Sequence, residues 1–257
     1  KFNDILIDSD NNLWGVIDFN KLYKYRLSKG KASFVKGYSF DNSIFTLSEE
    51  KDGSILISGV RSFYSLNKDE NISRIVVPTN LPFSLSIQDK LTKRTFIFSV
   101  SKGLHEITDN YEFKLFGDKA YKGVSYIKTC SDGNVWLGFN RNGLLRLNER
   151  TGEEMFFDEN NGLFDNSIRS IEEDHQGNIW ISTSEHIWKY NTVTQRFSSL
   201  HDDRFVKGKT YNVVSSAVDT EGRLYFGGTG GITVIDPKTE IPEKKDIPLF
   251  LESVIVK

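Results

Sequence analysis

Short runs of apolar residues, separated by polar turn residues, recur along the whole chain. The clearest stretch holds four successive runs, at 168–173, 179–182, 187–190 and 195–197. These runs are too short to show the periodicity of a helix, so each of them predicts a short β-strand. Gly-Asn and Asp-Gly pairs lie between the first and second runs of a unit and supply the positive backbone dihedral that a tight hairpin needs. The pattern therefore predicts four-stranded antiparallel units.

The four-strand unit is repeated. The phrase SDGNVWLG at 131–138 matches HQGNIWIS at 175–182, and weaker copies begin near positions 9, 51 and 220. The turns at 11, 53, 133, 177 and 222 lie 40 to 45 residues apart once a degenerate copy, with its turn near Lys93, divides the interval of 80. This period, with four strands per unit, is typical of a β-propeller blade, because one small sheet must stack on its neighbours to bury both faces. The predicted fold class is all-β, a β-propeller of about six four-stranded blades that either form the whole ring or belong to a seven-bladed one.

One repeat position carries a large apolar side chain in every unit. We interpret it as the blade core rather than a ligand contact, because every interface between blades needs such a residue. The residues at this position are Trp14, Leu56, Phe96, Trp136, Trp180 and Tyr225. The acidic run at 172–174 enters a turn and is predicted to be a solvated strand edge.

Composition excludes several classes of protein. The chain of 257 residues is 38% hydrophobic and 26% charged, as in folded soluble proteins, and its 19 Phe and 10 Tyr against one Met favour strands. A net charge of −2 makes nucleic acid an unexpected partner, and no apolar run is long enough to cross a membrane within this chain. The single cysteine, Cys130, forms no internal disulfide, so it does not indicate the compartment. The first residues, which include neither an initiator Met nor an apolar signal core, predict a mature piece or an excised segment.

The sequence contains no familiar catalytic or metal-binding motif. The four histidines occupy four different repeat positions, and nothing pairs them as metal ligands. We therefore predict no catalytic residue, no metal and no cofactor, and a non-enzymatic function for this region. Propeller active sites draw single residues from several blades, so a lyase or hydrolase acting on a polysaccharide or a small molecule remains an alternative. A protein-interaction scaffold is a second alternative.

The loops that differ between units are the predicted ligand-binding region. Connections from the second to the third strand, and from each blade to the next, open on one face of a propeller disc. Their Asn, Arg, Tyr and His side chains can stack against a sugar and hydrogen-bond its hydroxyls, and they would serve a protein partner about as well. The candidate residues are Tyr38, Arg61, Tyr121, Asn140, Arg141, His186 and Tyr211.

The stretch at 160–183, NNGLFDNSIRSIEEDHQGNIWIST, closely resembles the two-component regulator propeller repeat. Further copies cover residues 1 to about 240. The tail, with GITVIDP at 231–237 and PLFLESVIV at 248–256, is similar to the last blade of such a sensor as it enters an immunoglobulin-like module. The resemblance implies a propeller at 1–240, followed by a linker and the start of that module at 241–257.

The resemblance also implies a function. It indicates the periplasmic sensor region of a Bacteroidetes hybrid two-component system, or of a related one-component regulator, that senses glycan breakdown products. The implied partners are an oligosaccharide ligand, a neighbouring propeller and the immunoglobulin-like module of the same protein, and a second copy in a homodimer. A histidine kinase would then lie outside this chain.

Overall fold

The computed structural model describes residues 2–59, 62–78, 83–89, 91–99, 101–117, 119–163, 165–200 and 210–239. These residues form 23 β-strands in six antiparallel sheets, in which consecutive strands are neighbours. No helix in this part of the chain is long and apolar enough to span a bilayer. The predicted all-β class is therefore confirmed.

Each sheet is one repeat unit. The first three blades are β1 (Phe2–Ile7), β2 (Asn12–Ile17), β3 (Lys21–Ser28) and β4 (Lys31–Ser39); β5 (Thr46–Glu49), β6 (Ile55–Gly59), β7 (Ser62–Leu66) and β8 (Ile72–Ile75); β9 (Phe83–Gln88), β10 (Thr95–Ser99), β11 (Gly103–Ile107) and β12 (Phe113–Leu115). The last three are β13 (Val124–Thr129), β14 (Asn134–Phe139), β15 (Leu144–Asn148) and β16 (Glu154–Phe157); β17 (Ser170–Glu173), β18 (Ile179–Ser182), β19 (Ile187–Asn191) and β20 (Arg196–Ser199); β21 (Tyr211–Val218), β22 (Leu224–Gly228) and β23 (Gly231–Ile235).

The six sheets are arranged as a six-bladed β-propeller, with the first strand of each blade lining a central channel. Five blades have four strands, and the sixth has three among the described residues. The tail segment at 248–256 and the boundary predicted near 240 lie outside the described residues.

The turn between the first and second strands is the most regular feature of the repeat. In every blade one residue of this turn has a positive φ: Asn11, Gly53, Lys93, Gly133, Gly177 and Gly222. The degenerate turn near Lys93 is thus confirmed as the sixth copy. Because a side chain is strained at positive φ, a glycine is the best fit in this turn.

Replacing Lys93 by glycine should stabilise the protein. The Lys93 φ of 58° carries a strain that glycine relieves, and the Lys93 Nζ to Glu49 Oε2 contact that is lost is long, at 3.5 Å. We expect Lys93→Gly to raise the free energy of unfolding by about 0.5–1 kcal/mol, measured by urea denaturation. Asn11→Gly is the matched control and should gain less, because asparagine tolerates this conformation. A lower free energy of unfolding in Lys93→Gly would contradict the inference that Lys93 is strained in this turn.

In three blades an aspartate at the end of the first strand joins this turn to the large residue of the repeat. In the fifth blade, Asp174 accepts hydrogen bonds from the backbone N of Asn178 at 2.9 Å and from Nε1 of Trp180 at 2.8 Å. The same motif is formed by Asp8 with Asn12 and Trp14, and by Asp219 with Arg223 and Tyr225. Burial acts to raise the pKa of Asp8, but the hydrogen bonds from Trp14 and Asn12 outweigh it and hold the pKa below its ordinary value. Asp8 is therefore an ionised acceptor that joins the turn to the blade core.

The fourth blade lacks this acceptor. Cys130 takes the place of the aspartate, and the buried Nε1 of Trp136 has no hydrogen-bond acceptor among the described residues. Burial raises the pKa of the Cys130 thiol, so it stays protonated and accepts hydrogen bonds only weakly.

We expect Cys130→Asp to increase the free energy of unfolding by about 1 kcal/mol, because the carboxylate would give the buried Nε1 of Trp136 an acceptor. Thermal and urea denaturation would measure the gain. Cys130→Ala, which adds no acceptor, is the control and should be neutral or destabilising. If Cys130→Asp were no more stable than Cys130→Ala, the motif would not transfer between blades.

The large residues of the repeat fill the spaces between adjacent sheets, as predicted. Trp136 is fully buried, stacks on Phe157 at 5.7 Å between ring centroids and meets Tyr190 of the next blade at 5.3 Å. Trp180 belongs to a cluster with Phe226 of the sixth blade. Trp14, Leu56 and Phe96 are likewise buried and cluster with residues of the following blade.

Two sequence predictions need correction. Tyr225, predicted to lie in the blade core, is only partly buried, because no sheet among the described residues covers its face of the sixth blade. The acidic run at 172–174 is not a solvated edge: Glu172 and Asp174 are buried, and Glu173 accepts a hydrogen bond from the backbone N of Ser131 in the preceding blade. Glu172 and Asp174 can be buried because each of them has hydrogen-bond donors within reach.

Candidate functional site

The central channel contains a cavity that can accept a ligand. Its cavity has a volume of about 750 Å³. All six inner strands contribute to its wall, with residues 4–7, 46–49, 86–89, 126–128, 172 and 214–217, together with Lys93, Tyr225, Gly227 and Ile232. Because successive strand residues point to opposite faces, only some of these side chains reach the cavity.

Four polar side chains form a chain of contacts across blades four, five and six. Lys128 Nζ donates to Glu172 Oε2 at 3.0 Å, and Ser216 Oγ donates to Glu172 Oε1 at 2.9 Å. The hydroxyl of Tyr126 lies 3.3 Å from Ser216 Oγ. We call Tyr126, Lys128, Glu172 and Ser216 the channel network. It holds three neighbouring blades together at the channel wall.

The ionisation of the channel network is set by burial and by the ion pair. Burial lowers the pKa of Lys128, but the Glu172 carboxylate outweighs it, so the net shift is upward. Burial, assisted by the charge of Glu172, raises the pKa of the Tyr126 hydroxyl well above its ordinary value. At neutral pH the network therefore presents an ammonium group and a neutral phenol.

The second and third blades add a set of uncharged donors and acceptors. The hydroxyls of Thr46, Ser58 and Ser86 form a hydrogen-bonded series, with 2.7 Å between Ser86 Oγ and Ser58 Oγ. Gln88 Nε2 donates to the backbone O of Glu49 at 2.9 Å. Of these residues, Thr46, Ser86 and Gln88 lie in the cavity wall. A hydroxyl group can donate or accept a hydrogen bond, whereas the Gln88 Nε2 group only donates.

The channel does not have the features of a hydrolytic or metal centre in the part of the chain that is described. None of the histidines at 105, 175 and 186 lies in the cavity wall. No group of three or more metal-binding side chains occurs among these residues. Both oxygens of Glu172 are already hydrogen-bonded, so it is not poised as a free base.

The loop residues proposed from sequence are not gathered into one site. The backbone N of Asn140 donates to Gly123 O at 3.1 Å, which brings the Asn140 and Arg141 loop beside that of Tyr121. The backbone N of Tyr211 donates to Ser184 O at 2.9 Å, which places the His186 loop next to Tyr211. Contacts of this kind confirm that the second-to-third and blade-to-blade loops share one face. None of these residues lines the channel cavity.

Several candidate side chains have structural contacts instead. Tyr211 is 2% exposed, hydrogen-bonds Thr233 Oγ1 at 3.0 Å and belongs to the core between blades five and six. Tyr38 packs on Trp14, with 6.2 Å between ring centroids, and the Tyr121 hydroxyl donates to Glu154 at 2.8 Å. Asn140 and Arg141 are exposed, His186 is half-buried, and Arg61 lies outside the described residues.

Sequence reasoning missed the channel network because it searched loops. Lys128, Glu172 and Ser216 occupy equivalent or adjacent positions on inner strands, where the repeat gives no signal that distinguishes channel from surface. One signal in the sequence could have indicated the network. An inner strand that is buried on both sides is expected to be apolar, but the inner-strand segments SYIKT and SIEE contain charged residues.

The family comparison matches residues 162–185 to the model described as "Two component regulator propeller". Among curated proteins, the histidine kinase P4 of Formosa agariphila is 30% identical over 79 residues, which are 31% of this chain. The chain covers 6% of the length of that relative.

Solved structures share the fold. The extracellular domain assigned to a hybrid two component system of Bacteroides thetaiotaomicron has a TM-score of 0.60 at 19% identity, covering 92% of this chain and 39% of that chain. The virginiamycin B lyase from Staphylococcus aureus has a TM-score of 0.65 at 13% identity, covering 92% of this chain and 84% of that chain. The segment at 162–185 leads into and forms the first two strands of the fifth blade. Residues 162–185 thus match the two-component regulator propeller repeat, and the chain as a whole shares the β-propeller fold of these solved structures.

Proposed function

We propose that this propeller is the ligand-sensing part of the periplasmic region of a two-component signalling protein, and that it is not itself an enzyme. The family match at 162–185 carries the proposal. The similarity to a histidine kinase and to an extracellular domain of a hybrid two component system supports the same reading. The signalling output would then come from other modules of the same polypeptide.

We infer that the ligand is an oligosaccharide and that it binds in the central channel. The cavity of about 750 Å³ is large enough for a small sugar chain. Hydroxyl, amide and ammonium groups line it, and Tyr126 and Tyr225 add aromatic surface of the kind that packs on sugar rings. The neighbouring propeller and the immunoglobulin-like module would be the partners that receive a rearrangement on binding.

A propeller lyase is the second candidate, because the chain shares its fold with virginiamycin B lyase. That reading needs a histidine or a metal close to a carboxylate in the channel. The described part of the cavity wall offers neither. The observation therefore favours a binding site over a catalytic one.

A glycan-library screen with the purified protein, followed by calorimetry on each hit, tests the proposal. Ala217, on β21, lies in the cavity wall, so Ala217→Trp should fill the channel and reduce glycan affinity at least tenfold. Val193→Trp, at an exposed turn outside the cavity, is the matched control and should bind normally. Cleaved glycan products would favour the lyase. If no glycan binds and a purified partner domain does, the propeller is an interaction scaffold rather than a sugar sensor.

A further inference from the structure

A phenylalanine occupies the turn between β2 and β3, in a backbone conformation that disfavours it. Asp18 and Phe19 have φ values of 52° and 58°, and the backbone N of Asn20 donates to Ile17 O at 3.4 Å, as in a type I′ turn. Gly, Asn and Asp suit this turn, because a larger side chain is strained at positive φ. Three other blades have a glycine at positive φ in the same connection: Gly103, Gly143 and Gly231. At Phe19 the local sequence and the local structure therefore disagree.

Neighbouring elements hold Phe19 in this conformation. Its backbone N donates to Asn3 Oδ1 at 3.2 Å, and its backbone O accepts a hydrogen bond from the backbone N of Ile44 at 2.6 Å. Asn3 lies in β1 and Ile44 lies shortly before β5, so two inner strands fix the turn. Backbone strain that the surrounding structure enforces in this way clusters at ligand-binding and catalytic sites.

The side chain of Phe19 forms an aromatic pair with Phe45. The two ring centroids are 5.5 Å apart, and the rings are tilted by 53°. Phe19 is 47% exposed and Phe45 is half-buried, so the pair presents open aromatic surface. We call these two side chains the aromatic rim.

The aromatic rim lies at the opening of the channel, on the face that carries the variable loops. Asn3 and Phe45 directly precede Asp4 and Thr46, which are the first residues of their strands in the cavity wall. Neither Phe19 nor Phe45 belongs to that wall, so the aromatic rim is a surface outside the cavity. An oligosaccharide that filled the channel and extended out of it on this side would pass the aromatic rim.

The surroundings of the aromatic rim favour a sugar ring as the ligand. Short polar side chains of the two adjoining loops are exposed beside it: Asp18, Asn20, Asp41 and Asn42. An aromatic surface next to such hydrogen-bonding groups suits a sugar, which has an apolar face and hydroxyls at its edge. Two aromatic rings offer far less area than the roughly 800 Å² per partner that a stable protein interface buries.

We propose that the aromatic rim is a second sugar-binding subsite, which stacks on a ring of the bound oligosaccharide outside the channel. This inference rests on the proposed function and adds to it that the ligand is longer than the part enclosed by the cavity. The strained turn holds the Phe19 ring in one position, which reduces the entropy lost when the sugar binds.

Calorimetry with glycans of increasing length, all based on a hit of the glycan screen, tests the proposal. Phe19→Asn removes the ring and suits the turn, so it should weaken the binding of longer glycans by about fivefold to tenfold and leave the shortest one unaffected. Its melting temperature should change by less than about 3 °C, because relief of strain offsets the lost ring contact. Phe19→Tyr keeps the ring and should bind normally.

Lys29→Asn is the matched control. Lys29 has a φ of 50° in the exposed turn between β3 and β4, at the opposite end of the strand from Phe19. Its replacement makes the same kind of change in a similar turn and should not alter affinity at any glycan length. A loss of affinity in Lys29→Asn equal to that in Phe19→Asn would overturn the proposal.

The dependence on glycan length decides the remaining outcomes. Unchanged affinity in Phe19→Asn, or an equal loss at every length, would overturn the proposal, because no ring outside the channel would then contact Phe19. If Ala217→Trp left binding intact while Phe19→Asn weakened it, the aromatic rim would stand as a sugar site and the channel site would fail. If no glycan bound the wild-type protein, both would fail.

Discussion

Trp136→Ala and Trp180→Ala should each lower the free energy of unfolding by about 3–5 kcal/mol, as truncation of a fully buried aromatic residue does. Both side chains are completely buried between adjacent blades. The loss at Trp180 should be the larger one, because Asp174 also loses the hydrogen bond from the indole nitrogen at 2.8 Å. Urea denaturation followed by circular dichroism would measure both values.

The phenylalanine variants separate packing from hydrogen bonding. Trp180→Phe removes a hydrogen bond, whereas Trp136→Phe removes a nitrogen that has no acceptor among the described residues. Trp180→Phe should therefore cost about 1 kcal/mol more than Trp136→Phe. If the alanine variants melted normally but lost a ligand, these residues would belong to a binding site rather than to the blade core.

Lys128→Met should be the most damaging single change in the channel. The side chains of Lys128 and Glu172 are 15% and 4% exposed, and their charged atoms are 3.0 Å apart. Removal of the lysine leaves the Glu172 carboxylate with Ser216 as its remaining partner in a poorly solvated site. Breaking a buried pair in this way typically costs about 3–5 kcal/mol, and urea denaturation would show the loss.

The double variant Lys128→Met/Glu172→Gln is the control, and it should recover part of the loss because no buried charge remains. The pKa of Lys128 is raised in the folded protein, so the pair contributes fully below the ordinary lysine pKa and is lost only as the pH rises through the raised value. In the wild-type protein the contribution of the Lys128 ammonium to the free energy of unfolding should accordingly stay constant up to about pH 9. If the double variant were no more stable than Lys128→Met, the loss of stability would come mainly from packing rather than from the unpaired charge.

The positions of strands and turns were predictable because each is a local property. The six residues at positive φ fall at the turn positions read from the repeat, including Lys93, whose unit has almost no sequence likeness to the others. A tight hairpin requires this backbone conformation whatever the side chain is. The spacing of the turns is therefore kept even in the unit whose residues differ from those of the other units. The identity of the blade core followed for the same reason in five of six blades.

The residues of the candidate site were less predictable. Tyr211 was a ligand candidate because it lies in a variable loop, yet it is the first residue of β21 and is buried against Thr233. Glu172 was interpreted as part of a solvated edge, yet it lies beside Lys128 of another blade. In both cases the deciding partner is more than twenty residues away along the chain.

The sequence by itself determined that this protein is an all-β ring of four-stranded repeats. The turn residues and apolar runs that produce the hairpins lie within each unit of about forty residues, so they can be recognised locally. The tertiary structure decided which faces of the ring are closed and which polar groups meet in the channel. Tyr225 has the sequence of a core residue and remains partly exposed, since burial depends on a neighbour rather than on the residue itself. Lys128 and Glu172 became a pair for the same physical reason: strands from different blades approach each other only when the ring is assembled.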